Sequence, residues 1–157
     1  MQKITPFLWF NDQAEEAARL YTSIFKKSRI VEISRYGDAG PGPKGSVMTV
    51  SFQLEGQDFI ALNGGPQYTF NPAISLFVDC KDQAEVDTLW EKLCRGGEPV
   101  ACGWLRDKYG ISWQIIPSAL LKMRRDKDPA RSARVMKAMM QMVKIDVKKL
   151  KKAYDKP

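Results

Sequence analysis

The sequence predicts an α+β fold: two tandem β-α-β-β-β modules forming a curved mixed sheet around a cleft, with helices added at the C-terminus. Three observations predict it. The tetrapeptide DQAE occurs at 12–15 and again at 82–85, an offset of 70 residues. The same offset lays ITPFLWFN (4–11) over ISLFVDCK (74–81), so that Ile4 matches Ile74, Thr5 matches Ser75 and Phe7 matches Phe77. Each copy then reads as a short apolar run, a capping aspartate and a helix, with further strand-like runs behind it.

In the first copy, residues 3–66, ITPFLWF is rich in β-formers and leads to Asp12, a good N-cap residue. Ala14, Ala17, Tyr21, Ile24 and Phe25 then recur at helical spacing and form one apolar stripe. RIVEISRYG (29–37), SVMTVSFQLEG (46–56) and DFIALNGG (58–65) read as strands, and the glycine/proline loop GDAGPGPKG (37–45) separates the first two. The second copy, residues 72–117, repeats the scheme with AISLFVDC, Asp82 as cap, and a helix striped by Ala84, Leu89, Trp90 and Leu93. Its later strands are shorter: EPVACGWL (98–105) and, beyond the turn RDKYG, SWQIIP (112–117). A helix on the outer face of each sheet leaves the other faces to enclose the cleft.

Residues 1–121 form this body, and 122–157 form a basic helical extension packed on the body or on a second subunit. Asp128 caps and Pro129 opens its first helix, with Ala133, Met136, Met140 and Val143 as the expected apolar stripe. A second helix begins after Asp146 and places Val147, Leu150 and Tyr154 on one face. The net charge of +7 belongs to this extension. Residues 1–121 carry 12 basic and 14 acidic side chains, whereas 122–157 carry 13 basic and 4 acidic. Nucleic-acid binding is the alternative reading of such a tail. Tyr154 is its one aromatic, however, and its lysines fit the solvated face of an amphipathic helix, so no nucleic-acid partner is expected.

A hydrophobic fraction of 44% and a charged fraction of 27% describe an ordinary globular protein. No apolar run reaches the roughly 20 residues that cross a bilayer, so no membrane association is expected. MQKITPFLWF turns polar at Asn11 without a small-residue cleavage site, and Cys80, Cys94 and Cys102 are odd in number without metal-type spacing. Both point to a cytoplasmic protein with reduced thiols. There is no histidine, which leaves acid–base work to Tyr36, Cys102, Asp107 or Tyr109, and none of these stands in a recognisable nucleophile–base pair. Asp107 reads first as an Asx-turn residue closing on Gly110, and Cys102 as a small buried hydrophobe. Phe7, Trp9, Phe52, Phe77, Trp104, Tyr109 and Trp113 lie on strands or at their ends; alternation sends about half of them under the helices.

TPFLWF with AEEAARLYTSIF, FIALNGGPQYTFNPAISLFVDC, CGWLRDKYGISWQIIP and the tail ARVMKAMMQMVKIDVKKLKKAY together resemble the PhnB-like branch of the glyoxalase/bleomycin-resistance/extradiol-dioxygenase superfamily, also called vicinal oxygen chelate. The resemblance covers nearly the whole chain and rests on LNGGP and on GW-x-x-D-x-[FY]-G-x-x-W-Q. It implies a homodimer. Some members carry a 3-demethylubiquinone-9 3-methyltransferase label, which no glycine-rich strand-to-helix turn supports here. Metal-using members draw their ligands from the first and fourth strands of each copy. Thr5 and Ser75 occupy the first-strand positions, seven residues before Asp12 and Asp82. Gln114 stands in DKYGISWQ where such members carry glutamate, and Asn63 or Ala61 takes the remaining place.

Thr, Ser, Gln and Asn offer only neutral oxygens, where divalent ions favour carboxylate, imidazole or thiolate. The expectation is therefore a metal-free, cofactor-free cleft that binds a small, partly apolar molecule through Thr5, Phe7, Trp9, Asn63, Ser75, Trp104, Tyr109 and Gln114. No catalytic residue is assigned. The competing expectation is a superfamily enzyme of lyase, isomerase, dioxygenase or transferase class with non-standard or absent metal ligands.

Overall fold

The computed structural model describes residues 2–156. The chain divides into two compact units, one running to Phe70 and the other beginning at Asn71. The first contains β1 (Phe7–Phe10), α1 (Ala14–Ile24), β2 (Arg29–Arg35), β3 (Val47–Leu54) and β4 (Gln57–Asn63). Its sheet runs in the order β1-β4-β3-β2, with β1 parallel to β4 and the other pairs antiparallel. Small residues let α1 lie close to this sheet: Ala14, Ala17, Ala18 and Tyr21 are buried against a core that contains Phe10, Val50, Phe52, Phe59 and Ala61. Burying Tyr21 and Phe52 contributes about 1.5–3 kcal/mol each.

The start of α1 departs from expectation. Asp12 does not cap it; Gln13 occupies the cap position without a side-chain bond. The acceptor comes from the sheet instead, where the Asn63 Oδ1 atom receives the Ala14 N–H at 2.8 Å. An aspartate one residue early is out of reach of the first-turn amides, and a strand-end amide side chain takes its place.

The second unit repeats the plan. It contains β5 (Ser75–Cys80), α2 (Gln83–Cys94), β6 (Glu98–Pro99), β7 (Trp104–Arg106) and β8 (Ser112–Pro117). The strand order β5-β8-β7-β6 and the parallel first-to-last pairing reproduce those of the first unit, as the repeat predicts. Asp82 does cap α2, accepting the Glu85 N–H at 2.9 Å. The expected strand 98–105 is two strands. A turn at 100–103 interrupts it, closed by Val100 N–H to the Trp104 carbonyl at 2.9 Å, and Cys102 and Gly103 hold positive φ of 56° and 87°.

Three helices follow: α3 (Ser118–Arg124), α4 (Pro129–Met139) and α5 (Val147–Asp155). The first was not anticipated. Asp128 and Asp146 cap α4 and α5 as expected, accepting from Ala130 and Lys149 amides. The buried stripe of α4 differs from the expected one: Val135, Ala138 and Met139 face inward, and Ala133 and Met140 are exposed. The expected spacing ran through Met140 to Val143, but the helix ends at Met139 and the chain bends away, so those positions do not share its face. Ile116, Leu120, Val135, Ile145 and Leu150 form one buried cluster, which anchors the extension to the end of β8. Lys148, Lys149, Lys151 and Lys152 are exposed on the other side of α5.

Candidate functional site

In a sheet, laterally paired residues point to the same side and successive residues to opposite sides. In the second unit Leu105, Trp113 and Ile115 are buried toward α2, whose Val86, Leu89 and Leu93 meet them. The opposite face therefore carries the residues out of phase with these. Phe77 pairs with Gln114, and Gln114 with Trp104, so the three form a row across β5, β8 and β7. The next row holds Ser75 and Ser112 with Arg106. Gln114 Nε2 donates to Ser75 Oγ at 3.0 Å and ties the two rows together.

Phe77 is 50% exposed, and Trp104 and Gln114 are partly so. A hydrogen-bonded amide–hydroxyl pair thus stands between two aromatic side chains on a sheet face that α2 does not cover. Arg106 at the edge is paired with Glu98 at 2.6 Å. Phe77 was not among the expected ligand residues. Its repeat mate Phe7 was, and the offset of 70 was the signal that finds it.

The first unit has a comparable face. Phe7 and Trp9 pair with Ile60 and Leu62, opposite the buried face of Phe10 and Ala61. Trp9 is fixed in place: its Nε1 donates to the Gly65 carbonyl at 2.9 Å, and Tyr68 meets its ring edge-on at 4.9 Å. A Cβ on Gly64 would sit 2.4 Å from the indole, so LNGGP is the seat of this tryptophan. Thr5 is half-buried just ahead of β1.

One of the expected residues does not join these faces. Asn63 pairs with Phe10 on the helix side, where its Oδ1 caps α1 and its Nδ2 donates to the Val47 carbonyl at 3.2 Å. Its own carbonyl accepts the Tyr36 hydroxyl at 2.5 Å. Tyr109 lies in the turn between β7 and β8, with the Lys108 ammonium 5.2 Å from its ring centre. That turn is built on Asp107, only 2% exposed, whose Oδ1 accepts the Tyr109 and Ile111 N–H groups at 2.9 and 3.0 Å. Its Oδ2 accepts Trp113 Nε1 at 2.8 Å. Asp107 is thus the Asx-turn residue expected, with the strand tryptophan as an additional partner.

The donor chemistry does not fit a divalent metal. Besides Ser112 the face offers one hydroxyl–amide pair, and two carboxylates of the same sheet are engaged: Asp79 accepts the Ser118 hydroxyl at 2.5 Å, and Glu98 holds Arg106. Among the described residues no three His, Cys, Asp or Glu side chains converge. Cys80 is no nucleophile either, since burial, reinforced by Glu85 and Asp79, pushes its thiol up to about 12.

A family profile described as 3-demethylubiquinone-9 3-methyltransferase matches residues 2–116. The match ends before the extension, although the sequence reading extended the resemblance through the tail. A PhnB protein from Bacillus cereus, provisionally given that same methyltransferase name, is 44% identical over 74% of this chain and 99% of that one, with a TM-score of 0.69. A protein from Staphylococcus aureus is 37% identical over 73% of this chain and 94% of that one, with a TM-score of 0.35. The Pseudomonas aeruginosa protein PA1353 shares the fold at 20% identity and a TM-score of 0.62, over 74% of this chain and 98% of that one. No curated protein matches the chain. The chain belongs to the 3-demethylubiquinone-9 3-methyltransferase family, and its likeness to the Bacillus cereus PhnB protein makes it PhnB-like.

Proposed function

We propose that this protein binds a small, partly apolar molecule on the open face of its second repeat, without a resident metal ion. The observation that carries this reading is the Gln114–Ser75 hydrogen bond set between Phe77 and Trp104. Aromatic surface supplies affinity by burial, and one polar pair supplies orientation, the usual make-up of a small-molecule site. A metal-using site needs anionic or imidazole donors at these positions, and the side chains present are neutral.

The methyltransferase name of the family does not carry over as an activity. The links from β1 to α1 and from β5 to α2 read NDQ and KD, without the glycines that let a helix N-terminus approach a nucleotide-type cofactor. No helix is long and apolar enough to cross a membrane. Three cysteines outside any disulfide support a cytoplasmic location. Exposed Ile4, Ile74, Phe7 and Phe77, at repeat-related positions, support a homodimer.

The test is equilibrium binding of a neutral aromatic dye, N-phenyl-1-naphthylamine, followed by fluorescence. Wild-type protein binds it saturably; Trp104→Ala weakens binding by roughly tenfold, equivalent to about 1.4 kcal/mol of lost contact. Gln114→Ala weakens a hydrogen-bonding analogue, 1-naphthol, more than the dye. Equal binding by wild type and both variants would remove the face from consideration.

A further inference from the structure

The chain beyond residue 116 lies outside the family match, and 74% of this chain already spans 99% of the Bacillus cereus relative. The extension is therefore an addition to the shared domain, and its attachment is specific. Between α4 and α5 the chain passes along the β6–β7 turn. The Met142 carbonyl accepts the Cys102 N–H at 2.8 Å, and the Val143 carbonyl accepts the Gly103 N–H at 2.8 Å. Ile145, fully buried, packs so closely that a Cβ on Gly103 would lie 3.0 Å from its Cγ1.

One side chain of α2 holds the next residues. Gln83 Nε2 donates to the Ile145 carbonyl at 2.9 Å, and Gln83 Oε1 accepts the Val147 N–H at 2.7 Å. Gln83 also donates to Asp87 Oδ1 at 3.0 Å, and the same oxygen lies 2.8 Å from Lys144 Nζ. Gln83, Asp87 and Lys144 thus form a latch across the segment 142–147.

The amides held by that segment are those of Cys102 and Gly103, the two successive positive-φ residues immediately before Trp104. Cys102 is in a conformation that non-glycine residues adopt only when their surroundings impose it. Gly103 in turn accepts the Ile115 N–H at 2.8 Å, which sets the register that lays Trp104 beside Gln114.

We propose that Gln83 is a positioning residue: by latching the segment 142–147 it holds the β6–β7 turn that seats Trp104, so the C-terminal extension completes the ligand face. The functional half of this proposal rests on the binding reading above; the positioning half does not. A latch of this kind does not touch the ligand. It acts by keeping the indole in one place, so that the ordering cost is met before binding.

The test uses the full chain labelled with 5-fluorotryptophan, whose four signals are observed by 19F NMR. Trp104→Phe assigns the Trp104 signal. In Gln83→Ala the Trp104 signal shifts or broadens while those of Trp9 and Trp113 stay, and N-phenyl-1-naphthylamine binds roughly fivefold more weakly. Gln83→Glu keeps the acceptor for the Val147 N–H but sets a carboxylate against the Ile145 carbonyl and Asp87, so it moves the Trp104 signal as Gln83→Ala does. Lys144→Met removes only the ion pair and moves the Trp104 signal the same way by less; it decides the matter if Gln83→Ala does not fold. An unmoved Trp104 signal in the folded variants, or the signals of Trp9, Trp104 and Trp113 moving together, overturns the proposal. Absence of dye binding to wild-type protein overturns the ligand reading instead, with the NMR result still deciding the positioning claim.

Discussion

Asp107 and Gln114 lie seven positions apart and show how differently a polar residue can be used in the same stretch. Asp107 is an acid–base candidate by type, but three donors occupy its carboxylate inside the protein. Asp107→Ala leaves two backbone amides and an indole N–H without this acceptor, which costs about 3–5 kcal/mol. Denaturant unfolding measures it, and a loss below about 1 kcal/mol would show the carboxylate to be a passenger in the turn. The Asx-turn role was legible from D-x-x-G alone; the Trp113 bond was not, because a strand indole reaching back to a turn is a tertiary contact. Gln114 was legible in the opposite way. The family resemblance singled it out at a ligand position on the last strand of the second copy, and the structure adds Ser75 as its partner. Asn63 was misplaced because counting along FIALNGG does not reveal which face a strand-end residue takes.

At the scale of elements, the repeated β-α-β-β-β plan was legible because apolar periodicity and the DQAE tetrapeptide recur in both copies, although the aspartate caps only the second helix. The break in 98–105 was not, since ACGW has no strong turn signature and its positive-φ pair is held partly by the extension. The helix stripe of 129–139 was shifted for a related reason. Methionines crowd both sides of α4, and only tertiary packing decides which of them enter the core. Leu150, fully buried in the cluster with Ile116 and Val135, is the natural probe of this packing. Leu150→Ala costs about 2–4 kcal/mol, and limited trypsin digestion should cut the lysine-rich α5 well before the sheets. Unchanged protease resistance would mean that the extension is not held by its core.

For the whole molecule, the uneven charge is resolved as a folded basic extension tied down by acidic partners. Asp87 is held below the ordinary carboxylate value of 3.8 chiefly by its bond to Lys144, and Asp126 likewise by the Tyr154 hydroxyl. Folded-state values below the unfolded one mean that these bonds stabilise the protein above about pH 4 and lose that contribution as the pH falls through the lowered values. The extension should therefore loosen on acidification below about pH 4, seen as a selective change of the Trp104 19F signal before far-UV circular dichroism changes. Asp87 is exposed and Asp126 partly so, so the effect should shrink in high salt. A transition that is independent of Asp87→Asn would contradict this assignment.

The central claim is that the proposed ligand face works through neutral hydrogen-bonding groups and not through a divalent metal ion. Elemental analysis of protein purified without chelator and without an affinity metal tests it most directly. The account predicts no stoichiometric divalent ion, in wild-type protein and Gln114→Ala alike. Stoichiometric zinc, iron, nickel or manganese that is lost in Gln114→Ala would contradict it.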